Sequence, residues 1–471
     1  MKRLIPVVLL FLLFLKANHV FAGIRLPSVI GSNMVLQQKS DAQIWGWADP
    51  AERIVVTRSW DNGVDTVVTP GSGRWSVRLK TPAAGGPYTI TLKGRNTIVL
   101  ENIMIGEVWV CSGQSNMEWS SYQGLKQIID ELPNANNPQI RLFQVSRTTS
   151  ETPQDNCTGQ WNVCSSETLK GFSGIAYFFA KKLSQELNVP VGVINASWGG
   201  TPAEPWTPGD LVEADQQLKE YAAKIETRPW WPVNGGAAYN AMIYPLTQLS
   251  IAGVLWYQGE GNVSTAPNYQ RIFSTLIKGW RRAWQKEFPF YYVQIAPYKY
   301  GKKYEGAIVQ EQQTKTLSVP RTGMVVVTDL VDDVNNIHPK DKISVAHRLA
   351  NLALAEKYGK DIPHYRSPLF RKMDIEKGKA VLYFDHAPNG FMVKGGGKPT
   401  EFLIAGADKV FVPADVKIEK DRIIVSSKQV KEPAAVRFGF SNTAMANLFS
   451  KEGLPVTPFR TDEWELDVSP E

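Results

Sequence analysis

The hydrophobic and polar positions divide the chain into four stretches. An apolar run dominates residues 1–22, and short alternating segments broken by turn residues fill residues 23–100. Residues 101–364 alternate apolar strands with amphipathic helices, and residues 365–471 return to short strands. Alternating strands and helices are typical of a parallel sheet. We therefore expect an α/β domain between a β-sandwich-like N-terminal region and a C-terminal β-rich region.

The first stretch has the pattern of an export signal. Lys2 and Arg3 precede a leucine-rich run over residues 4–15, and Val20 and Ala22 supply β-branched and small residues before a cleavage point. The run is too short to span a bilayer. The pattern predicts a signal peptide cleaved after Ala22 and a secreted or periplasmic protein.

The strand pattern over residues 108–111 ends in a polar segment that carries candidate chemistry. Gln114, Ser115 and Asn116 follow Gly113 directly, at the carboxyl end of the predicted strand. In open α/β sheets ligands collect at this end. A serine on such a turn exposes its hydroxyl, and the N–H groups that follow can face a developing negative charge. The tripeptide alone is more typical of a plain strand-to-helix turn with Ser115 as N-cap.

Four separated motifs together resemble the sialate O-acetylesterase family of the SGNH hydrolase superfamily. They are GQSNME at residues 113–118, NASWGGTPAEPW at 195–206, WYQGEGN at 256–262 and IHP at 337–339. Their order and spacing agree with that family, and the similarity extends from Leu26 to the C-terminal strands. The resemblance implies a three-layer SGNH-like domain over residues 101–364. It also implies a carbohydrate esterase that needs no cofactor and removes 9-O-acetyl groups from sialic acids or sialoglycans.

The same resemblance suggests roles for individual residues. Ser115 would be the nucleophile and His338 its base. Donors to the oxyanion would be the Ser115 N–H, the Gly199 N–H (with Gly200 as second choice) and the Gln258 amide, with Asn262 as the alternative amide. Trp206, in a stretch rich in proline and tryptophan, is the candidate for sugar stacking, although core packing explains it equally well.

One position departs from the family pattern. SGNH hydrolases commonly carry an aspartate three residues before the histidine, and this chain has Asn335 there. We assign the third catalytic position to Asp332. Asp333 and Asp329 remain alternatives, as does a Ser–His dyad without an acid.

Composition narrows the remaining choices. The chain carries a net charge of +7 without a dominant basic cluster, which gives nucleic-acid binding little support. No His/Asp/Glu spacing typical of metal ligands is present, so no metal is predicted. Of the 3 cysteines, Cys157 and Cys164 are compatible with a disulfide in an exported protein and equally with free thiols.

Two further functions stay open, a polysaccharide esterase acting on substrates such as acetylxylan, and a non-catalytic glycan-binding protein.

Overall fold

A long strand joins the N-terminal β region to the rest of the molecule. The computed structural model describes residues 23–470, so the predicted signal peptide lies outside the described residues. The strands of the N-terminal part are β1 (Val35–Gln37), β2 (Asp41–Trp47), β3 (Arg53–Arg58), β4 (Val64–Val68), β5 (Arg74–Lys80), β6 (Gly85–Lys93) and β7 (Thr97–Gly113).

Strand β7 belongs to two sheets. Its first half pairs antiparallel with β6, from Thr97 opposite Lys93 to Ile105 opposite Gly85. Its second half pairs in parallel with the central strands. The predicted domain boundary at residue 100 therefore falls inside a continuous strand. The separate β2–β5 pair completes the N-terminal region.

The central sheet is parallel across six strands. Its order is β13–β12–β11–β7–β10–β8, with β9 antiparallel at the edge. The added strands are β8 (Asn137–Gln144), β9 (Trp161–Cys164), β10 (Val191–Ser197), β11 (Gly253–Tyr257), β12 (Phe290–Val293) and β13 (Thr322–Val325). The helices are α1 (Ser115–Glu118), α2 (Lys126–Glu131), α3 (Ser166–Leu169), α4 (Gly174–Leu187), α5 (Gly209–Ala214), α6 (Gln216–Ala222), α7 (Tyr269–Trp284), α8 (Glu305–Lys315) and α9 (Lys342–Glu356).

Helices cover both faces of this sheet. Trp109 and Cys111 of β7 belong to one apolar cluster with α4 and α9. Val108 and Val110 point to the opposite face and share a second cluster with α7 and α8. Successive side chains of a strand alternate between faces, so one apolar run serves both layers. The predicted three-layer α/β domain is confirmed.

The C-terminal region is built from short strands around its own apolar core. They are β14 (Leu369–Glu376), β15 (Lys379–Asp385), β16 (Phe391–Val393), β17 (Phe402–Ala405), β18 (Val412–Pro413), β19 (Asp415–Glu419), β20 (Arg422–Ser426), β21 (Ala435–Phe438), β22 (Leu448–Ser450) and β23 (Phe459–Arg460). Arg460 forms an ion pair with Glu311 of α8 at 2.9 Å, which ties this region to the central domain. The expectation of β-rich regions at both ends is thus confirmed.

The described part of the chain includes both cysteines of the candidate disulfide. Cys157 and Cys164 are both free and buried, so the structure contains no disulfide between them. No helix within residues 23–470 is long and apolar enough to cross a membrane.

The parallel strands bring several polar segments to one edge of the sheet. Segments that follow β7, β10 and β11 meet there, at the strands' carboxyl ends. Gly113 makes the close approach possible, because a Cβ at this position would lie 2.2 Å from the carbonyl oxygen of Tyr257 in β11. Its φ of 136° also lies in the region that favours glycine.

Candidate active site

The hydroxyl of Ser115 meets an imidazole from a distant loop. The distance between Ser115 Oγ and His338 Nε2 is 2.8 Å, although the residues are 223 positions apart. Ser115 opens helix α1 immediately after the Gly113 turn. His338 lies in the loop between β13 and α9. The structure therefore brings together the predicted nucleophile and the predicted base, at hydrogen-bond distance.

Trp119 contacts the ring of His338, and Asn336 contacts its backbone. The ring of Trp119 stacks on His338, with centroids 4.5 Å apart and planes inclined by 25°. The backbone N–H of His338 donates to Asn336 Oδ1 at 3.0 Å. The stacking on Trp119 restrains the plane of the imidazole ring, and the hydrogen bond to Asn336 restrains the backbone of His338.

Asn116 links the serine turn to the histidine loop. Its Nδ2 donates to the carbonyl oxygen of Ile337 at 3.0 Å and to Glu260 Oε1 at 2.7 Å. Its Oδ1 accepts from Lys342 Nζ at 2.6 Å. The side chain of Asn116 is fully buried. It follows Ser115 in the chain and connects this residue to the backbone before His338 and to two buried charged groups.

Burial and charge shift the titration of this cluster. The pKa of His338 is lowered to about 4, first by burial and then by the positive charge of Lys342. Burial lowers the pKa of Lys342 to about 7, against the opposing effect of Glu260 and Asp341. Burial also raises the pKa of Glu260. His338 is therefore neutral at neutral pH, which is the state that can accept a proton from Ser115.

The structure does not bring Asp332 to the histidine. Asp332 is half exposed and pairs with Lys340 at 3.1 Å. The other two candidates are also occupied elsewhere, since Asp333 accepts from Asn335, and Asp329 forms a two-pronged ion pair with Arg348. Within residues 23–470 no carboxylate hydrogen-bonds to His338. Of the arrangements left open by the sequence, the geometry presents the Ser–His dyad.

The two glycines after β10 differ in whether their backbone N–H groups are free. The Gly199 N–H donates to Glu118 Oε2 at 2.8 Å and is therefore already occupied. The N–H groups of Gly200 and Ser115 have no hydrogen-bond partner among the described residues. Gly200 has a φ of 83°, which favours glycine there. The geometry thus favours Gly200, the second choice from sequence, over Gly199.

The two predicted amides are part of the scaffold. Gln258 Nε2 donates to the Thr201 carbonyl at 3.2 Å and to Asn262 Oδ1 at 2.8 Å. Asn262 Nδ2 donates to Glu204 Oε2 at 2.9 Å. Both side chains are fully buried. Their donors are used inside the protein, so neither amide faces an ester at Ser115.

An amide that the sequence analysis missed lies next to the serine. Gln114 Oε1 accepts from the Gly261 N–H at 3.1 Å and the Gly259 N–H at 3.4 Å. Its Nε2 has no partner among the described residues. The signal was its place directly before Ser115 in the polar segment, but only the structure shows which end of the amide is engaged.

Trp206 is a core residue. It is fully buried, and its Nε1 donates to Thr201 Oγ1 at 2.9 Å. The physical reason is that it packs edge-on against Trp256, with ring centroids 6.3 Å apart, and no face is left for a sugar.

Other tryptophans border the site. The ring of Trp231 lies against Gly200, where an added Cβ would come within 2.3 Å of it. Trp198 Nε1 donates to the Trp230 carbonyl at 3.1 Å, and Trp230 is 61% exposed. We call Trp198, Trp230 and Trp231 the tryptophan cluster.

Comparison with known proteins shows the family of this chain. Residues 105–355 match the family described as carbohydrate esterase, sialic acid-specific acetylesterase, and they contain Ser115, Gly200 and His338. The chain belongs to this esterase family. Sialate O-acetylesterases of Homo sapiens and Pongo abelii are each 31% identical over 400 residues, covering 76% of this chain and 76% of the relative. A carbohydrate acetylesterase from Xanthomonas citri superposes with a TM-score of 0.85 at 36% identity, covering 94% of this chain and 100% of that one. The family resemblance read from the four motifs is confirmed.

The Asn116 link predicts a loss of esterase activity in Asn116→Asp. The variant keeps the shape of the side chain but removes the donor to Ile337 and Glu260. The segments that carry Ser115 and His338 therefore lose the bond that fixes their relative position. We expect kcat on p-nitrophenyl acetate to fall about 100-fold, as for an ångström-scale misplacement of a catalytic group. Asn137→Asp, the same change at the first residue of β8, the end of that strand away from the carboxyl edge of the sheet, is the matched control. An Asn116→Asp enzyme within about twofold of wild type would contradict the proposed link.

The low pKa of His338 predicts that esterase activity persists at acidic pH. The base must be neutral, so the acidic limb of the kcat/KM profile should have its midpoint near pH 4, not near the ordinary value of 6.5. Lys342→Met removes the positive charge and should move that midpoint to higher pH.

Lys340→Met is the control for this shift, since Lys340 is in the same loop but is exposed and paired with Asp332. Its midpoint should match that of wild type. A wild-type midpoint near 6.5 would contradict the lowered pKa of His338, and the absence of a shift in Lys342→Met would show that the charge of Lys342 does not contribute to it.

Proposed function

We propose that this esterase removes O-acetyl groups from sialic acids, at the 9-position, through an acetyl-enzyme intermediate on Ser115. The observation that carries the proposal is the 2.8 Å contact between Ser115 Oγ and a neutral His338. Family membership supports the substrate class, because the family description and the names of the mammalian relatives both specify sialic acid or sialate.

The first step forms the acetyl-enzyme. Ser115 Oγ attacks the acetyl carbonyl carbon while its proton passes to His338 Nε2. The carbonyl oxygen becomes an oxyanion, and the free N–H groups of Ser115 and Gly200 are the proposed donors to it. Gln114 Nε2 is a third candidate donor. His338 then returns the proton to the departing sugar oxygen, and the ester bond breaks.

The second step releases acetate. A water molecule gives its proton to His338 and attacks the acetyl carbon through the same oxyanion pocket. The bond to Ser115 Oγ breaks, His338 reprotonates the serine, and acetic acid leaves as acetate. Among the described residues the stacking of Trp119, and not a carboxylate, restrains the plane of the imidazole.

Replacing the serine tests this mechanism. We expect Ser115→Ala to release acetate from 9-O-acetylated sialic acid at least about a thousandfold more slowly than wild type. Ser318→Ala, which removes an exposed serine hydroxyl on the far side of the sheet, should retain wild-type rates. A wild-type enzyme no faster than Ser115→Ala would reject the catalytic role of this residue. Acetylated xylan hydrolysed far faster than acetylated sialic acid would reject the sialate assignment while keeping the chemistry.

The proposal includes export of the enzyme. The support is the pattern of charged, apolar and small residues in positions 1–22. N-terminal sequencing of protein recovered outside the cytoplasm should begin at Gly23. Protein that stays in the cytoplasm with Met1 intact would overturn the export proposal.

A further inference from the structure

The strand order places an arginine on the same edge as the dyad. Arg147 follows the end of β8 by three residues, and Ser115 follows the end of β7 by two. Strand β10 lies between these two strands. Two strand spacings are about 10 Å. This separation is on the scale of one extended sugar residue, so a single ligand can reach both groups.

Glu118 holds this arginine against the serine turn. One of its oxygens, Oε1, forms an ion pair with the Arg147 guanidinium. The other, Oε2, accepts from the Gly199 N–H at 2.8 Å. Glu118 lies three residues after Ser115 on helix α1, and a Cβ on Gly199 would lie 3.4 Å from Ser115 Cβ. The carboxylate therefore fixes the guanidinium at a set position relative to the nucleophile.

The arginine keeps binding capacity beyond this pair. Its side chain is 48% exposed, whereas that of Glu118 is 16% exposed. A guanidinium carries five N–H donors in one plane, and Glu118 Oε1 uses one end of it. The remaining N–H donors are therefore open to a ligand, and a pre-oriented guanidinium is suited to a two-pronged bond with a carboxylate.

The tryptophan cluster borders the path between the two groups. Trp231 packs against Gly200, and Gly200 follows β10, the strand between β7 and β8. Its neighbour Trp230 is exposed. Trp231 thus provides an aromatic surface next to Gly200, and such a surface can cover the carbon face of a sugar ring.

We propose that Arg147, oriented by Glu118, binds the carboxylate of an acidic sugar whose acetyl ester lies at Ser115. This inference rests on the proposed function and assigns the residue that separates acidic from neutral sugar esters. It makes Arg147 a specificity determinant, because the bond forms only with a substrate that carries a carboxylate at the right distance from the ester.

The experiment compares two substrates that differ only in that charge. Acetate release is measured from 9-O-acetyl-N-acetylneuraminic acid and from its methyl ester. We expect wild type to prefer the free acid by about tenfold or more in kcat/KM, as expected for a charge-assisted bidentate bond. In Arg147→Gln the ratio should fall to about one, and Arg147→Lys, which keeps the charge without the planar fork, should lie between.

Arg282→Gln is the matched control, since Arg282 is also an exposed arginine paired with one acid, Asp210, but lies on α7. It should keep the wild-type ratio. Calorimetric binding of N-acetylneuraminic acid to Ser115→Ala, with and without Arg147→Gln, gives a readout independent of turnover, and the arginine substitution should weaken binding about tenfold or more.

The outcomes separate the two proposals. Hydrolysis of both substrates at equal rates by wild type, or a ratio unaffected in Arg147→Gln, overturns the role of Arg147 and leaves the esterase proposal standing. Hydrolysis of neither substrate by wild type overturns the proposed function and this inference with it.

Discussion

The arrangement depends on the side-chain amide of Asn116. Ser115 and His338 come from opposite parts of the chain, and nothing in their local sequence forces them to meet. Asn116 joins them by donating to the backbone just before the histidine while its own backbone follows the serine. An asparagine suits this position because it both donates and accepts, so it can bind a carbonyl, a carboxylate and an ammonium group at once.

The amide in turn requires two buried charges. Lys342 and Glu260 are removed from water, and burying charges is costly unless they are paired or hydrogen-bonded. Asn116 bonds to both, because its amide donates to Glu260 and accepts from Lys342, so each buried charge has a hydrogen-bond partner. The ammonium group also disfavours a second positive charge on His338. In a triad the acid stabilises the imidazolium. Here the surroundings instead favour the neutral ring.

The parts of this structure that the sequence predicted are those that follow from periodicity and motif order. The continuous apolar run before Gly113 predicted a strand that is buried on both faces. The four motifs located Ser115 and His338. Motifs could not separate catalytic from scaffold residues, however. Gln258 and Asn262 are the residue types an oxyanion pocket uses, yet their donors are satisfied internally, which depends on contacts with Thr201 and Glu204. The choice between Gly199 and Gly200 likewise depended on Glu118, more than eighty residues earlier. Trp206 was ambiguous for the same reason, since burial of an aromatic ring is a tertiary property.

Strand β7 has a further consequence for how this protein can be divided. The same seventeen residues close the N-terminal sheet and form the middle of the catalytic sheet, ending at the turn that carries the nucleophile. A truncation designed at residue 100 would remove β6 and the first residues of β7, leaving residues 101–105 without their antiparallel partner, and such unpaired edges promote aggregation. The N-terminal region therefore cannot be exchanged as an independent unit, because it shares a strand with the catalytic sheet. Grafting this catalytic domain onto another scaffold would have to carry the whole strand and its partners along.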